Sequence, residues 1–200
     1  MIPGTELLAH PRAYLFWQGK FAEQKLAPMY AHNDLSRVRR VLDVGCGPGT
    51  NTRHFASAQY LGVDVNPAYI QYARRLYHRD FLAADVCEYT APPGEKYDFI
   101  LANSFLHHVD LASTRRILSH LSTLLTEDGH VHVIEVVMPE RQGLRRQLAR
   151  WDRGRFVRPL AEWRDIFSES LEPVVLEPFW LTRFGVKFWD MVYFKGRARS

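Results

Sequence analysis

Residues Val41–Thr50 read VLDVGCGPGT: an apolar run, an aspartate, then glycines at positions 45, 47 and 49. Glycine carries no Cβ, so such a turn bends tightly and lets a ligand come close to the backbone. The residues ahead of it, from Val38 to Val44, have the length and branched apolar content of a buried strand. Thr50–Ala58 then follows as a helix launched from the turn. A strand, a bare turn and a helix decide the architecture only if the rest of the chain repeats the rhythm.

It does. Tyr60–Val65 is a second strand, and Pro67 suits the first position of a helix running to about Tyr77, with Asn66 as its N-cap. Phe81–Ala84 is a short third strand ending at Asp85, followed by the turn-rich APPGEK. Tyr97–Asn103 (YDFILAN) is a fourth. Asp110 can cap the next helix, whose Ile117, Leu118, Leu121, Leu124 and Leu125 recur at helical spacing. The turn TEDG closes that helix, and HVHVIEVVM (130–138) is a β-branched fifth strand. This alternation predicts an α/β fold: a mostly parallel, doubly wound sheet with helices on both faces. The tail departs from it. After a helix near Pro159–Ser168, strands at Pro173–Trp180 and Phe188–Phe194 are joined only by LTRFGVK. A connection so short makes an antiparallel hairpin.

Two hundred residues, 46% hydrophobic and 24% charged, suit one globular domain spanning 1–200. Two cysteines, Cys46 and Cys87, are too few for a disulfide framework. There is no basic n-region leading into an apolar h-region, and no run of about 20 apolar residues to span a bilayer. The default expectation is therefore a cytoplasmic protein. The net charge of +4 is concentrated locally: Arg141–Arg164 carries eight arginines against Asp152 and Glu162. That segment is either a solvated helical face or a surface for an anionic substrate, a phosphate or a lipid headgroup, which leaves peripheral membrane contact open. No nucleic-acid-binding module is recognisable.

In open α/β sheets, ligands bind beyond the carboxyl ends of the strands, near the point where strand order reverses. Gly45, Gly47 and Gly49 therefore belong to a ligand-lining loop. The second strand ends in GVDVN, placing Asp64 21 positions after Asp43, where a carboxylate can accept both hydrogen bonds of a ribose diol or simply cap the following helix. Asp85 ends the third strand as an acceptor for an exocyclic amine, or as a plain turn residue. Together the three strand ends describe a site for an adenine nucleoside. The spacing G-x-G-x-G, with Pro48 between the last two glycines, departs from the G-x-G-x-x-G that holds a pyrophosphate.

VLDVGCGPGT, GVDVN, AAD and YDFILANSFLHHV, in that order, resemble the class I S-adenosylmethionine-dependent methyltransferases, of the small-molecule type 11/12 kind. The resemblance covers about Val38–Val137 and implies a Rossmann-like seven-stranded sheet of order 3-2-1-4-5-7-6, the seventh strand antiparallel. It implies S-adenosylmethionine as cofactor. Asp43 and the Gly45–Gly49 backbone, with Cys46 at a variable position, would hold its methionine part. Asp64 and Val65 would lie at the ribose, Asp85 and Val86 at the adenine, and Asn103 beside the amino group.

The expected activity is transfer of a methyl group to a small-molecule acceptor, with O-methylation preferred because strand four exits into NSFLHHVD. His107 or His108 could deprotonate a hydroxyl, since imidazole titrates near neutral pH; adjacent histidines point different ways, and the other would pack. Glu135 interrupts the apolar fifth strand and needs a partner once buried. It could orient His107 or His108, pair with an arginine beyond Pro139, or bind a cationic acceptor and so favour N-methylation. His130 and His132 fall near the start of that strand, and no metal site is expected. Nucleic-acid amines are disfavoured because NSFL is not a [DNS]PP[YF] motif. N- or C-methylation of an anionic, lipid-linked or macromolecular acceptor, and a non-catalytic cofactor-binding regulatory domain, are the alternatives. Residues 1–37 read as an aromatic helical cap with Tyr14, Trp17 and Phe21 over the cofactor or in the core. Residues 138–160 read as a substrate-side insertion in which Trp151 and Arg155, with Arg153 and Arg158, face the acceptor. The chain is expected to be a monomer or homodimer.

Overall fold

The structure, a computed structural model, describes residues 21–151 and 154–199. Tyr14, Trp17 and Arg153 lie outside these residues. Seven strands form one sheet: β1 (Arg40–Val44), β2 (Gln59–Asp64), β3 (Asp80–Ala83), β4 (Tyr97–Asn103), β5 (Leu125–Val136), β6 (Leu171–Arg183) and β7 (Val186–Ala198). Their order is β3-β2-β1-β4-β5-β7-β6, as the resemblance implies. β1 pairs in parallel with both β2 and β4, so strand order reverses beside it. β7 runs antiparallel to β5, from Val131 opposite Gly196 to Val136 opposite Met191.

Alternation along the strands builds two cores. Leu42, Val44, Ile100, Ala102, Val131 and Val133 face one layer, with α3 (Leu111–Thr123) and α5 (Leu160–Ser170) against them. Val41, Phe99, Leu101, Ile134 and Val136 face the other, covered by α1 (Ala22–Ala31) and α2 (Pro67–Tyr77). One further helix among the described residues, α4 (Leu144–Trp151), buries only Ala149. Helix starts follow local chemistry. Asn66 accepts from the Ala68 amide at 2.9 Å ahead of Pro67, and Asp110 accepts from the Ser113 amide at 2.9 Å.

Three boundaries differ from the sequence reading, each for a physical reason. The glycine turn feeds a 3-10 turn, Thr50–Phe55, rather than an α-helix to Ala58. Both the amide and the hydroxyl of Thr52 bond to the Gly49 carbonyl, at 3.1 and 2.7 Å, which tightens the turn. β5 begins at Leu125 and absorbs TEDG, with a register shift opposite Tyr97 and Phe99. A Cβ at Gly129 would stand 2.6 Å from the Tyr97 carbonyl oxygen, so only glycine lets the strands close there. The terminal hairpin is longer than expected, its turn only Phe184–Gly185. Both residues have positive φ, 51° and 75°, the sign pattern of a type I′ turn. That turn suits Asn-Gly; a phenylalanine there costs about 1 kcal/mol or more.

Candidate active site

The loops leaving β1, β2, β3 and β4 surround a cleft of about 540 Å³. Its floor is the glycine turn. The amides of Gly45 and Cys46 share the Val63 carbonyl, at 2.8 and 3.1 Å, which ties the turn to the neighbouring strand. Gly45 (φ +65°) leaves no room for a Cβ, which would meet the Phe105 ring at 2.5 Å. Gly47 (φ +53°) is the opposite case: a Cβ would meet nothing within 4 Å, so its bare backbone opens into the cleft.

Asp64 stands at the rim. Its two oxygens accept from the Gly47 and Asn66 amides, at 2.9 and 2.8 Å, which fixes the carboxylate while leaving lone pairs toward the cleft. Val65, Asp85 and Val86 also line it, and Asp85 is held by the Cys87 amide at 2.8 Å. Asp43 lies behind this surface, fully buried, rather than in it. Its carboxylate accepts from the Tyr60 hydroxyl at 2.6 Å and from the Asn51 side-chain amide at 3.2 and 3.1 Å. Burial pushes its carboxyl up to about 7. Asn51 in turn accepts from the Asn103 amide at 3.1 Å, so the chain of bonds aims Asn103. The buried Oδ1 of Asn103 has no hydrogen-bond partner among the described residues. Gly49 backs onto Phe81, and Cys46 is buried behind the turn, where burial pushes its thiol well above the ordinary range.

Beyond Asn103 the chain turns sharply. Ser104 takes φ +54°, an uncommon conformation for a non-glycine residue, and its amide bonds the Ile134 carbonyl at 2.7 Å. This bend brings the next two amides onto Glu135 of β5. Oε1 accepts from Phe105 at 2.8 Å and from Leu106 at 2.6 Å, while Oε2 lies 2.5 Å from His107 Nδ1. The fully buried carboxylate thus finds an imidazole and two backbone amides; no arginine ion pair reaches it among the described residues. His107 is 3% exposed, and a Cβ on Gly154 would stand 1.9 Å from its ring. His108 is exposed and lines the cleft, its ring centroid 4.2 Å from that of His107. The pair therefore divides: one imidazole is anchored and covered, the other faces the cavity.

The insertion acts through a residue expected at the surface. Arg158 is buried, and its guanidinium donates to the carbonyls of Val109 (3.0 Å), Phe156 (3.1 Å) and Leu106 (3.4 Å). Nε pairs with Glu162 at 3.2 Å, and the Trp163 ring lies 4.8 Å away. Arg158 is a strut beneath the histidine turn, not a surface cation. Trp151, 75% exposed, and Arg155, also exposed, lie outside the cleft lining, contrary to expectation. The reason is that α4 seats only Ala149 and an Arg145–Asp190 ion pair, which turns the helix end to solvent. Asn51 and Gly154 escaped the sequence reading, and Arg158 was expected on the acceptor-facing surface rather than beneath the histidine turn. No cluster able to hold a metal ion occurs among the described residues.

A mostly parallel sheet with a reversed final strand and a glycine-floored cleft at its switch point is the arrangement of a Rossmann-like methyltransferase fold. A family model described as a methyltransferase domain matches residues 42–131. A trans-aconitate 2-methyltransferase of Escherichia coli is 32% identical over 182 residues, covering 80% of this chain and 67% of that protein. One of Paracidovorax citrulli is 30% identical over 159 residues, covering 76% of this chain and 58% of that protein. This chain thus spans little more than half the length of the latter relative. Among solved structures, the N-methyltransferase NodS of Bradyrhizobium japonicum in complex with S-adenosyl-L-homocysteine shares the fold, with a TM-score of 0.64, 18% identity, and coverage of 98% of this chain and 92% of that one. The chain belongs to the class I S-adenosylmethionine-dependent methyltransferase superfamily, whose cofactor is S-adenosylmethionine. The residues present fit that cofactor: the orphaned Asn103 acceptor suits a cationic amino group, and the open backbone at Gly47 admits a close ligand.

Proposed function

We propose that the chain methylates an oxygen atom of a small-molecule acceptor, with His108 as the residue facing that acceptor. The observation that carries this is the divided histidine pair: His107 is tethered to buried Glu135, and His108 projects into the cleft. Asp64 would hold the ribose hydroxyls, Asp85 and Val86 the adenine, and Asn103 and the glycine backbone the methionine part. Asp43 would serve by aiming Asn51 and Asn103. When bound, the cofactor supplies a methyl group already activated on a sulfonium. The protein's share is positioning, together with removal of a proton from a hydroxyl acceptor by His108. Glu135 keeps the turn that carries His108 in place through two amides and His107.

A second reading follows from the relatives, whose names specify trans-aconitate. A carboxylate acceptor is already ionised near neutral pH and needs no base; carboxyl groups titrate near pH 4. His108 would then bind the acceptor as a cation. The experiment is a pH series of kcat and KM with hydroxy acids and polycarboxylates, on the chain and on His108→Ala. A base predicts kcat falling on the acid side and lost in the variant. A binding cation predicts flat kcat with KM rising on the alkaline side. Wild-type turnover at all pH values in His108→Ala would sink both. Retained S-adenosylhomocysteine binding without turnover on any acceptor would point to a non-catalytic domain.

A further inference from the structure

We propose that the tip of the β6–β7 hairpin docks on the headgroup layer of an anionic lipid bilayer, at the rim where the cofactor cleft opens. β7 pairs with β5 only from Met191 onward, whereas its pairing with β6 continues out to Val186 opposite Arg183. The outer five residues of β7 therefore stand roughly 15 Å beyond the carboxyl end of β5, at about 3.3 Å per residue. This finger is braced close to its tip, where Thr182 pairs with Lys187. The Gln24 side chain bonds the Thr182 backbone in both directions, at 3.0 and 2.8 Å, and the Phe21 ring lies 6.4 Å from Phe188.

The apex carries a residue that folding does not ask for. Phe184 is 89% exposed and sits in the left-handed conformation, where asparagine would be at ease. The Arg183 guanidinium lies 5.1 Å from its ring, and one step back Lys187 Nζ lies 3.4 Å from the half-exposed Trp180 ring. Neither cation has a carboxylate partner among the described residues. Beside the finger, α4 leaves Leu144 and Trp151 exposed. Aromatic rings flanked by unpaired cations match the bilayer interface, where rings settle among headgroups and cations meet lipid phosphates. Geometry favours a membrane over a protein partner. A two-residue convex apex cannot supply the roughly 800 Å² per side of a stable protein interface, but a point suffices to sink among headgroups. Docked this way, the cleft would face acceptors concentrated at the lipid surface.

The test is cosedimentation of the full chain with vesicles of phosphatidylglycerol and phosphatidylcholine in equal parts, and of phosphatidylcholine alone. Binding to the anionic vesicles should exceed that to neutral ones by about fivefold or more and weaken at high salt. Phe184→Asn, and Arg183→Glu with Lys187→Glu, should each remove that excess while S-adenosylhomocysteine affinity is kept. Phe184→Asn should melt no lower than the wild type, which excludes misfolding as the cause. Equal binding to both vesicle types, or undiminished binding by Phe184→Asn, overturns the proposal. A concentration-dependent dimer in sedimentation velocity, lost in Phe184→Asn, would overturn it too, by giving the tip to a second copy.

Discussion

Asp64 has both oxygens committed to backbone amides, so its removal frees the Gly47 amide as well as withdrawing a charged acceptor from the cleft. Asp64→Ala should weaken S-adenosylhomocysteine binding at least tenfold, about 1.4 kcal/mol, by calorimetry. Unchanged affinity would remove Asp64 from the site. Asp43 gives a pH signature instead. Its carboxyl moves from an ordinary 3.8 to about 7 on folding, chiefly through burial. Between those values the unfolded chain has released a proton that the native state retains. The contribution is full below about pH 4 and is lost as pH rises through about 7, a span worth up to about 4 kcal/mol. Asp43→Asn should flatten this part of the pH–stability curve in urea titrations; a curve parallel to wild type would show Asp43 ionised throughout. Glu135 illustrates what one residue discloses by itself. A carboxylate in an apolar strand announces that it needs a partner, but the choice of His107 depends on the left-handed Ser104 bend that aims the following turn.

At the level of elements, the 154–158 segment and the histidine turn form one unit. The Phe156 amide bonds the His107 carbonyl at 3.0 Å, Gly154 packs on its ring, and Arg158 satisfies two carbonyls from below. Arg158→Ala should destabilise the fold by about 2–4 kcal/mol, because it strands those carbonyls and removes the partner of Glu162. It should also depress turnover more than S-adenosylhomocysteine affinity, with part of the loss restored in Arg158→Lys. An unchanged denaturation midpoint would show that the strut is dispensable. Elements whose boundaries are set by their own residues are the legible ones: α2 starts at Pro67 behind the Asn66 cap and ends at Tyr77, as read. The orientation of α4 is not legible. Its arginines and apolar residues allow several faces to be buried, and only the packing partner on β7 selects one.

Across the whole molecule, alternation alone predicts a mostly parallel sheet ending in a hairpin, and the strand order follows from the resemblance carried by motifs whose glycines, aspartates and asparagine stand near strand ends. Contacts made by distant loops carry no local signature, which is why Gly154 against His107 could not be foreseen. The two cysteines occupy different worlds in this architecture. Cys46 is sealed behind the glycine turn, while Cys87 is part-exposed in the cleft wall. An alkylating reagent should therefore modify Cys87 in the native protein, slowly because burial raises its thiol, and Cys46 only on unfolding. Mass spectrometry of the labelled chain, with and without S-adenosylhomocysteine, checks this: product nucleoside should shield Cys87. Equal labelling of both thiols, or no shielding, would contradict the arrangement. The molecule thus carries its own pair of chemical gauges, one sensing occupancy and the other integrity, without any engineered tag.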